Sequence, residues 1–177
     1  MSMDYRNNHK ILINEDALNK RVEEIAQEIN KKYEGQTLIV VGVLKGSFMF
    51  MSDLLKKITV DTEVYFLKAS SYGSGTESSG VVKITKDIDT DIEGRNVLLV
   101  EDIIDSGFTM KEVLAMLGER KPAMLELCSC LSKPERRVCE VKIDYLGFEI
   151  PDKFVIGYGL DYAEKYRNLP YVGYIEQ

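Results

Sequence analysis

Within residues Val97–Met110, VLLVEDIIDSGFTM, carboxylates and small hydroxylic residues follow directly on an apolar run. Val97–Val100 is made of valine and leucine, the composition of a buried strand in a parallel sheet. Glu101, Asp102 and Asp105 stand where that strand is expected to end, and Ser106, Gly107 and Thr109 lead into a helical pattern. The first turn of a helix offers free N–H groups and the positive end of its dipole, which together hold a phosphate. The carboxylates would repel that phosphate, but they suit ribose hydroxyls or a Mg²⁺ ion bridging to it. Acids beside a buried strand also repel one another unless something positive binds. A sugar phosphate satisfies both halves of such a site.

Leu44-Lys45-Gly46-Ser47 follows the apolar TLIVVGV and opens a second helical pattern, which makes it a second candidate anion site. Residues Ser70–Gly80, SSYGSGTESSG, have the composition of a loose connection between two strands. Lys133 follows a further apolar run. Taken singly, Lys133 and Arg167 read as solvated cations and Phe154 as a core residue opening a strand.

The elements that must position these residues follow from periodicity. Leu18, Val22, Ile25 and Ile29 define an amphipathic helix over Asn14–Tyr33, with Gly35 just past its end. Ser47–Leu55 has helical spacing, and a third helix runs behind Thr109 to about Leu117. Strands are expected at Thr37–Val43, Thr62–Ala69, Val81–Thr85, Val97–Val100 and Met124–Leu131. Shorter ones are expected at Ile143–Phe148, Phe154–Tyr158 and Val172–Ile175. Strands alternating with helices predict an α/β fold, a twisted parallel sheet flanked by helices on both faces. Ligands of such sheets bind beyond the carboxyl ends of the strands, where the polar motifs fall.

The chain has 177 residues, 45% hydrophobic and 29% charged, which suits a globular protein with a sizeable core. There are no internal repeats or clear boundaries, so one domain over residues 1–177 is expected. No stretch approaches the ~20 apolar residues of a membrane span. MSMDYRNNHK lacks a signal-peptide core, so the expected setting is cytoplasmic, with no membrane partner. Cys128, Cys130 and Cys139 show no metal-ligand spacing and read as thiols of a reducing compartment. The net charge of −6 argues against a nucleic-acid partner. The only histidine, His9, lies far from every motif and is expected at the surface, so histidine acid–base chemistry is not expected.

Taken together, four blocks resemble the type I phosphoribosyltransferases, and within them the bacterial hypoxanthine-guanine enzymes. They are Leu44–Ser47, the Ser70–Gly80 loop, Glu101–Thr109 and Lys133–Arg167, in the family's order from about Ile39 onward. The resemblance implies that fold, with a small hood near the base-binding end. It implies transfer of a 5-phosphoribosyl group from 5-phosphoribosyl-1-pyrophosphate (PRPP) to a 6-oxopurine, with Mg²⁺ as cofactor and a homodimer or homotetramer as the assembly. Carried over residue by residue, Glu101 and Asp102 hold the ribose hydroxyls, directly or through Mg²⁺. Asp105 faces N7 of the purine as general acid/base. Ser106, Gly107, Phe108 and Thr109 cradle the 5′-phosphate. Leu44, Lys45 and Gly46 meet the pyrophosphate across a peptide bond that is often cis, and Arg167 binds it too. Ser71 and Tyr72 match a Ser-Tyr pair in a closing lid. Lys133 donates to O6, Phe154 stacks on the base, Val155 offers backbone groups, and Asp161 contacts a second Mg²⁺ near the purine's 2-position. Arg137 helps to fix this neighbourhood. The family often carries threonine and lysine where this chain has Ser106 and Phe108. Serine keeps the hydroxyl, whereas phenylalanine removes a cation, which predicts weaker PRPP affinity with function retained. Two other activities share these motifs: a PRPP-sensing regulator, which should carry a basic face or an added DNA-binding domain, and a phosphoribosyltransferase for xanthine.

Overall fold

The computed structural model of the chain describes residues 9–72 and 81–176. Its main sheet has six strands in the order β4-β3-β2-β5-β6-β7. They are β2 (Leu38–Val43), β3 (Thr62–Tyr72), β4 (Val81–Lys86), β5 (Asn96–Ile104), β6 (Met124–Ser132) and β7 (Tyr145–Glu149). Pairing is parallel from β3 through β2, β5 and β6 to β7. The sheet is not wholly parallel as expected, because β4 runs antiparallel to β3. These two edge strands form a hairpin, which needs no helical crossover.

Alternation along the central strands builds two cores. Leu38 and Val40 of β2, Leu98 and Val100 of β5, and Cys128 of β6 pack with helices α1 (Glu15–Lys32) and α2 (Phe48–Leu55). Ile39, Val41, Val97 and Leu99 face the other way and pack with Met110, Val113 and Leu117 of α3 (Phe108–Gly118). Strands buried on both faces must be apolar at every position, and every residue of β2 is buried. α1 matches the expected bounds. Asn14 caps it by accepting from the N–H of Ala17 at 2.8 Å, with Glu15 and Asp16 in the first turn and Lys31 and Lys32 in the last.

A second sheet of three antiparallel strands forms the hood, in the order β1-β9-β8: β1 (His9–Ile13), β9 (Val172–Ile175) and β8 (Phe154–Ile156). Periodicity does not find β1. His9, expected as an isolated surface residue, lies in this strand half-buried, its Nε2 2.8 Å from the Tyr171 hydroxyl and its ring stacked on that residue. β8 ends at Ile156, earlier than expected, because Gly157, Tyr158 and Gly159 take positive φ angles and turn the chain. Among the described residues no helix is long and apolar enough to cross a membrane.

Candidate active site

The carboxyl ends of β2, β5 and β6 meet the hood, and the polar motifs collect there. β5 is longer than its apolar run. Its pairing with β6 continues through Glu101↔Ser129 to Ile104↔Ser132, so Glu101 and Asp102 belong to the strand and do not follow it. Backbone pairing is indifferent to side-chain polarity, and acids can extend a strand whose neighbour continues. Asp105 is the first of the three acids beyond the strand, and it is exposed.

Glu101 is buried and folds back, its Oε1 accepting from the N–H of Asp102 at 2.9 Å. Asp102 Oδ1 accepts from the N–H of Ile103 at 2.7 Å. Burial pushes the Glu101 carboxyl well above its usual range, and the neighbouring Asp102 charge pushes it further. Burial also raises Asp102, opposed by hydrogen bonds and by the charge of Arg167. Two carboxylates that the fold penalises in their charged form fit a divalent cation shared with substrate oxygens. Asp161 is not part of that pair. Its Oδ1 meets Arg167 at 3.1 Å and its Oδ2 accepts from the N–H of Glu164 at 2.8 Å. Among the described residues no group of three or more His, Cys, Asp or Glu side chains gathers around one point.

Beyond β5, Asp105, Ser106, Gly107 and Thr109 line a cavity of about 260 Å³ together with Glu101 and Ile104. Gly107 stands ahead of α3 at φ 89° and has no side chain to cap it, which leaves N–H groups at the start of α3 open to an anion. The Phe108 N–H reaches Ser106 Oγ at 3.4 Å. Arg137 supports this turn from behind. It donates to the carbonyl of Asp105 at 3.0 Å, that of Ile104 at 3.3 Å and Ser132 Oγ at 2.7 Å. The N–H groups of Val138 and Cys139 both donate to the Ser106 carbonyl.

Lys133 follows β6 in a buried position, its N–H bonded to the Ile104 carbonyl at 3.0 Å. Its ammonium lies 3.8 Å from Asp105 Oδ1 and 3.6 Å from Asp152 Oδ1. Lys133, Arg136, Asp152, Lys153 and Phe154 line a second cavity of about 590 Å³. Phe154 opens β8 and is half-exposed, with its ring edge-on to Tyr162 at 5.5 Å, while Val155 is buried. An exposed aromatic face beside a buried cation is a suitable bed for a planar heterocycle carrying an oxygen acceptor.

The Leu44–Lys45 peptide bond is cis. Gly46 follows against the Asp102 carboxylate. Lys45 Nζ meets Glu164 Oε2 at 2.5 Å, and Arg167 meets the other oxygen of Glu164 at 3.2 Å. One carboxylate therefore already gathers two cations from segments far apart in sequence. Arg167 Nε is buried and has no hydrogen-bond partner among the described residues. Ser71 and Tyr72 continue β3, paired with Val82 and Val81. The rest of the expected lid, residues 73–80, lies outside the described residues. The contacts described join Gly46 to Asp102, Lys133 to Asp105 and Asp161 to Arg167. Asp152, Arg136, Glu164 and the Gly157–Gly159 turn were not found from sequence, because each is an ordinary surface or turn residue until the fold places it.

A parallel sheet with acids on its central strand, an open helix start beyond it and a hood over the rim is the arrangement of a phosphoribosyltransferase. The Phosphoribosyl transferase domain model matches residues 10–163, and the chain belongs to that family. It is 49% identical to the hypoxanthine phosphoribosyltransferase of Salmonella typhimurium over 93% of this chain and 93% of that protein. It is 47% identical to the hypoxanthine-guanine phosphoribosyltransferase of Bacillus subtilis over 94% of this chain and 93% of that one. The bifunctional protein TilS/HprT of Listeria monocytogenes is 50% identical over 94% of this chain, which spans only 26% of that longer protein. Among solved structures, a hypoxanthine phosphoribosyltransferase from Staphylococcus aureus superposes with a TM-score of 0.94 at 44% identity, covering 99% of this chain and 96% of that one.

Proposed function

We propose that this chain is a purine salvage enzyme that transfers the 5-phosphoribosyl group of PRPP to N9 of hypoxanthine or guanine, giving IMP or GMP and pyrophosphate. The observation that carries this reading is the placement of Asp105 and Lys133, 3.8 Å apart, between the cavity at the start of α3 and a larger one faced by Phe154. The base and the sugar phosphate would meet there. Ser106–Thr109 hold the 5′-phosphate on the open start of α3. Phe108, which lacks a cationic head, contributes its backbone N–H. Glu101 and Asp102 hold the ribose hydroxyls. Leu44, Lys45, Gly46 and Arg167 take the pyrophosphate, and Ser71 and Tyr72 complete the PRPP contacts. Lys133 donates to O6, which favours 6-oxopurines over adenine, whose amino group would meet a second donor. Phe154 stacks on the base, Val155 presents its backbone, and Asp105 manages the proton at N7.

Mg²⁺ fits the Glu101–Asp102 pair, with Asp161 assigned to a second ion; when bound it neutralises charge on the pyrophosphate leaving group. The remaining work falls to the chain itself: orienting N9 toward the sugar and keeping water from a carbon that gains oxocarbenium character. We assign this activity to one catalytic unit over residues 1–177 acting in the cytoplasm, where free Cys128, Cys130 and Cys139 suit a reducing milieu. A homodimer or homotetramer fits the exposed apolar Phe48, Val64 and Phe66. The acidic balance gives no support to a nucleic-acid partner.

The test is an absorbance assay with PRPP, Mg²⁺ and each of hypoxanthine, guanine, xanthine and adenine. The expected result is nucleotide from hypoxanthine or guanine, lost when Mg²⁺ is removed. PRPP binding without turnover of any base would instead support a PRPP-sensing regulator, and turnover of xanthine above the others would move the assignment to that base.

A further inference from the structure

We propose that Tyr158 is a positioning residue for the pyrophosphate end of PRPP, acting through its hydrogen bond to Asp53. The inference rests on the assignment of Gly46 and Arg167 to pyrophosphate. Tyr158 lies in the turn after β8, is 4% exposed, and takes φ 49°. An aromatic residue adopts that left-handed conformation only where its surroundings over-determine it. Here they do. Its N–H donates to the Leu169 carbonyl at 2.8 Å, and its hydroxyl donates to Asp53 Oδ2 at 2.7 Å, 105 residues away on α2. The other oxygen of Asp53 is held by Lys56 at 2.7 Å, which leaves Oδ2 aimed at the tyrosine.

The next residue shows what the bond controls. Gly159 packs so tightly on the Leu44–Ser47 loop that a Cβ there would stand 2.0 Å from the Gly46 carbonyl oxygen. Gly159 is also bonded to Arg167 twice: its N–H donates to the Arg167 carbonyl at 2.9 Å, and its own carbonyl accepts from the guanidinium at 2.8 Å. It therefore sits between the two segments that would grip pyrophosphate. α2 begins directly after Ser47, so the Asp53–Tyr158 bond ties the helix that follows the loop to the turn that packs on Gly46. The hydroxyl donates to Asp53 of α2 and not to any of the rim residues assigned to substrate. Its influence passes through Gly159 to the spacing of Gly46 and Arg167. Lys133 and Phe154, which would meet the purine, are not in this chain of contacts.

The experiment compares Tyr158→Phe, Asp53→Asn and Asp53→Ala with the wild-type enzyme, reading kcat, the KM for PRPP, the KM for hypoxanthine, and binding of pyrophosphate by calorimetry. Loss of one hydrogen bond to a charged acceptor predicts about a tenfold rise in the PRPP KM and the pyrophosphate Kd. The hypoxanthine KM should stay at its wild-type value. Asp53→Asn, which keeps an oxygen acceptor, should recover most of the loss, whereas Asp53→Ala should match Tyr158→Phe, and combining the two should add nothing further. A merely structural tyrosine would lower the melting temperature or kcat, or raise both KM values together, and any of these with an unmoved PRPP-to-hypoxanthine KM ratio overturns the proposal. Failure of the functional reading shows separately, as no nucleotide formed by the wild-type protein.

Discussion

Asp102 lies so close to Gly46 that a Cβ added at residue 46 would stand 1.6 Å from its Oδ2. The loop after β2 and the carboxylate pair of β5 are thus in direct contact, and only glycine permits it. Gly46→Ala should displace either the loop or the carboxylate by an ångström or more. Such a shift at a reacting centre costs on the order of a hundredfold in kcat/KM. Steady-state kinetics should show that loss with the circular dichroism of the wild type retained; an alanine variant of full activity would mean that this contact is not used.

Lys133 is buried with its ammonium between Asp105 and Asp152. If it reads O6, Lys133→Ala should raise the hypoxanthine KM and erode the preference over adenine by roughly 10- to 100-fold, since a missing donor to a buried acceptor is worth about 1–3 kcal/mol. The PRPP KM should change little. Competition between the two bases measures this directly, and an unaltered preference would remove Lys133 from base recognition.

The Glu101–Asp102 pair makes a pH prediction with a definite sign. Burial raises both carboxyls above 4.5 and 3.8, so the folded chain holds these protons more tightly than the unfolded chain does. Their stabilising contribution is full at acid pH and is lost as pH rises from the ordinary carboxylate range through the raised values. Glu101→Gln should therefore raise the melting temperature of the ligand-free protein at neutral pH by a few degrees. The gain should shrink toward pH 4, and the variant should bind Mg²⁺ and PRPP more weakly. A glutamine variant that melts below the wild type at neutral pH would show that the pair is not strained in its charged form.

Glu126 is the contrasting case of a buried carboxylate with a purely architectural role. It accepts from Tyr33 and Tyr145 and pairs with Lys32, tying the end of α1 to β6 and β7. The burial of the two tyrosines, and after it their hydrogen bonds to Glu126, push both phenols far above their usual range. Glu126→Ala leaves two buried hydroxyls without their acceptor, at a cost of about 3 kcal/mol. Thermal melting should register it as a drop of several degrees, while kcat per folded molecule stays at the wild-type level; loss of kcat without loss of stability would contradict this division.

Glu101, Asp102 and Asp105 were legible in the sequence because acids at the end of an apolar run have few structural reasons to be there, whereas Lys133 and Arg167 read singly as solvated cations and stood out only through the resemblance. Their arrangement was less so. β5 outlasts Val100 because pairing with Ser129 and Leu131 continues whatever the side chains are. β1 is only five residues long, and its partner β9 lies at the other end of the chain. The contacts of Tyr158 with Asp53 and of Gly46 with Asp102 and Gly159 join segments whose separation in sequence carries no period. Asp161 was expected among the metal ligands from resemblance, and its engagement with Arg167 could not be read from residue order.

The central claim is that phosphoribosyl transfer takes place at the turn between β5 and α3, with Asp105 managing the purine proton. The most direct measurement compares kcat with hypoxanthine and the Kd for PRPP in wild-type protein and in Asp105→Asn. Loss of general acid/base catalysis predicts a fall in kcat of about 10²- to 10⁴-fold with the PRPP Kd nearly unchanged. Equal losses in turnover and PRPP binding, or a variant that turns over at the wild-type rate, would contradict it.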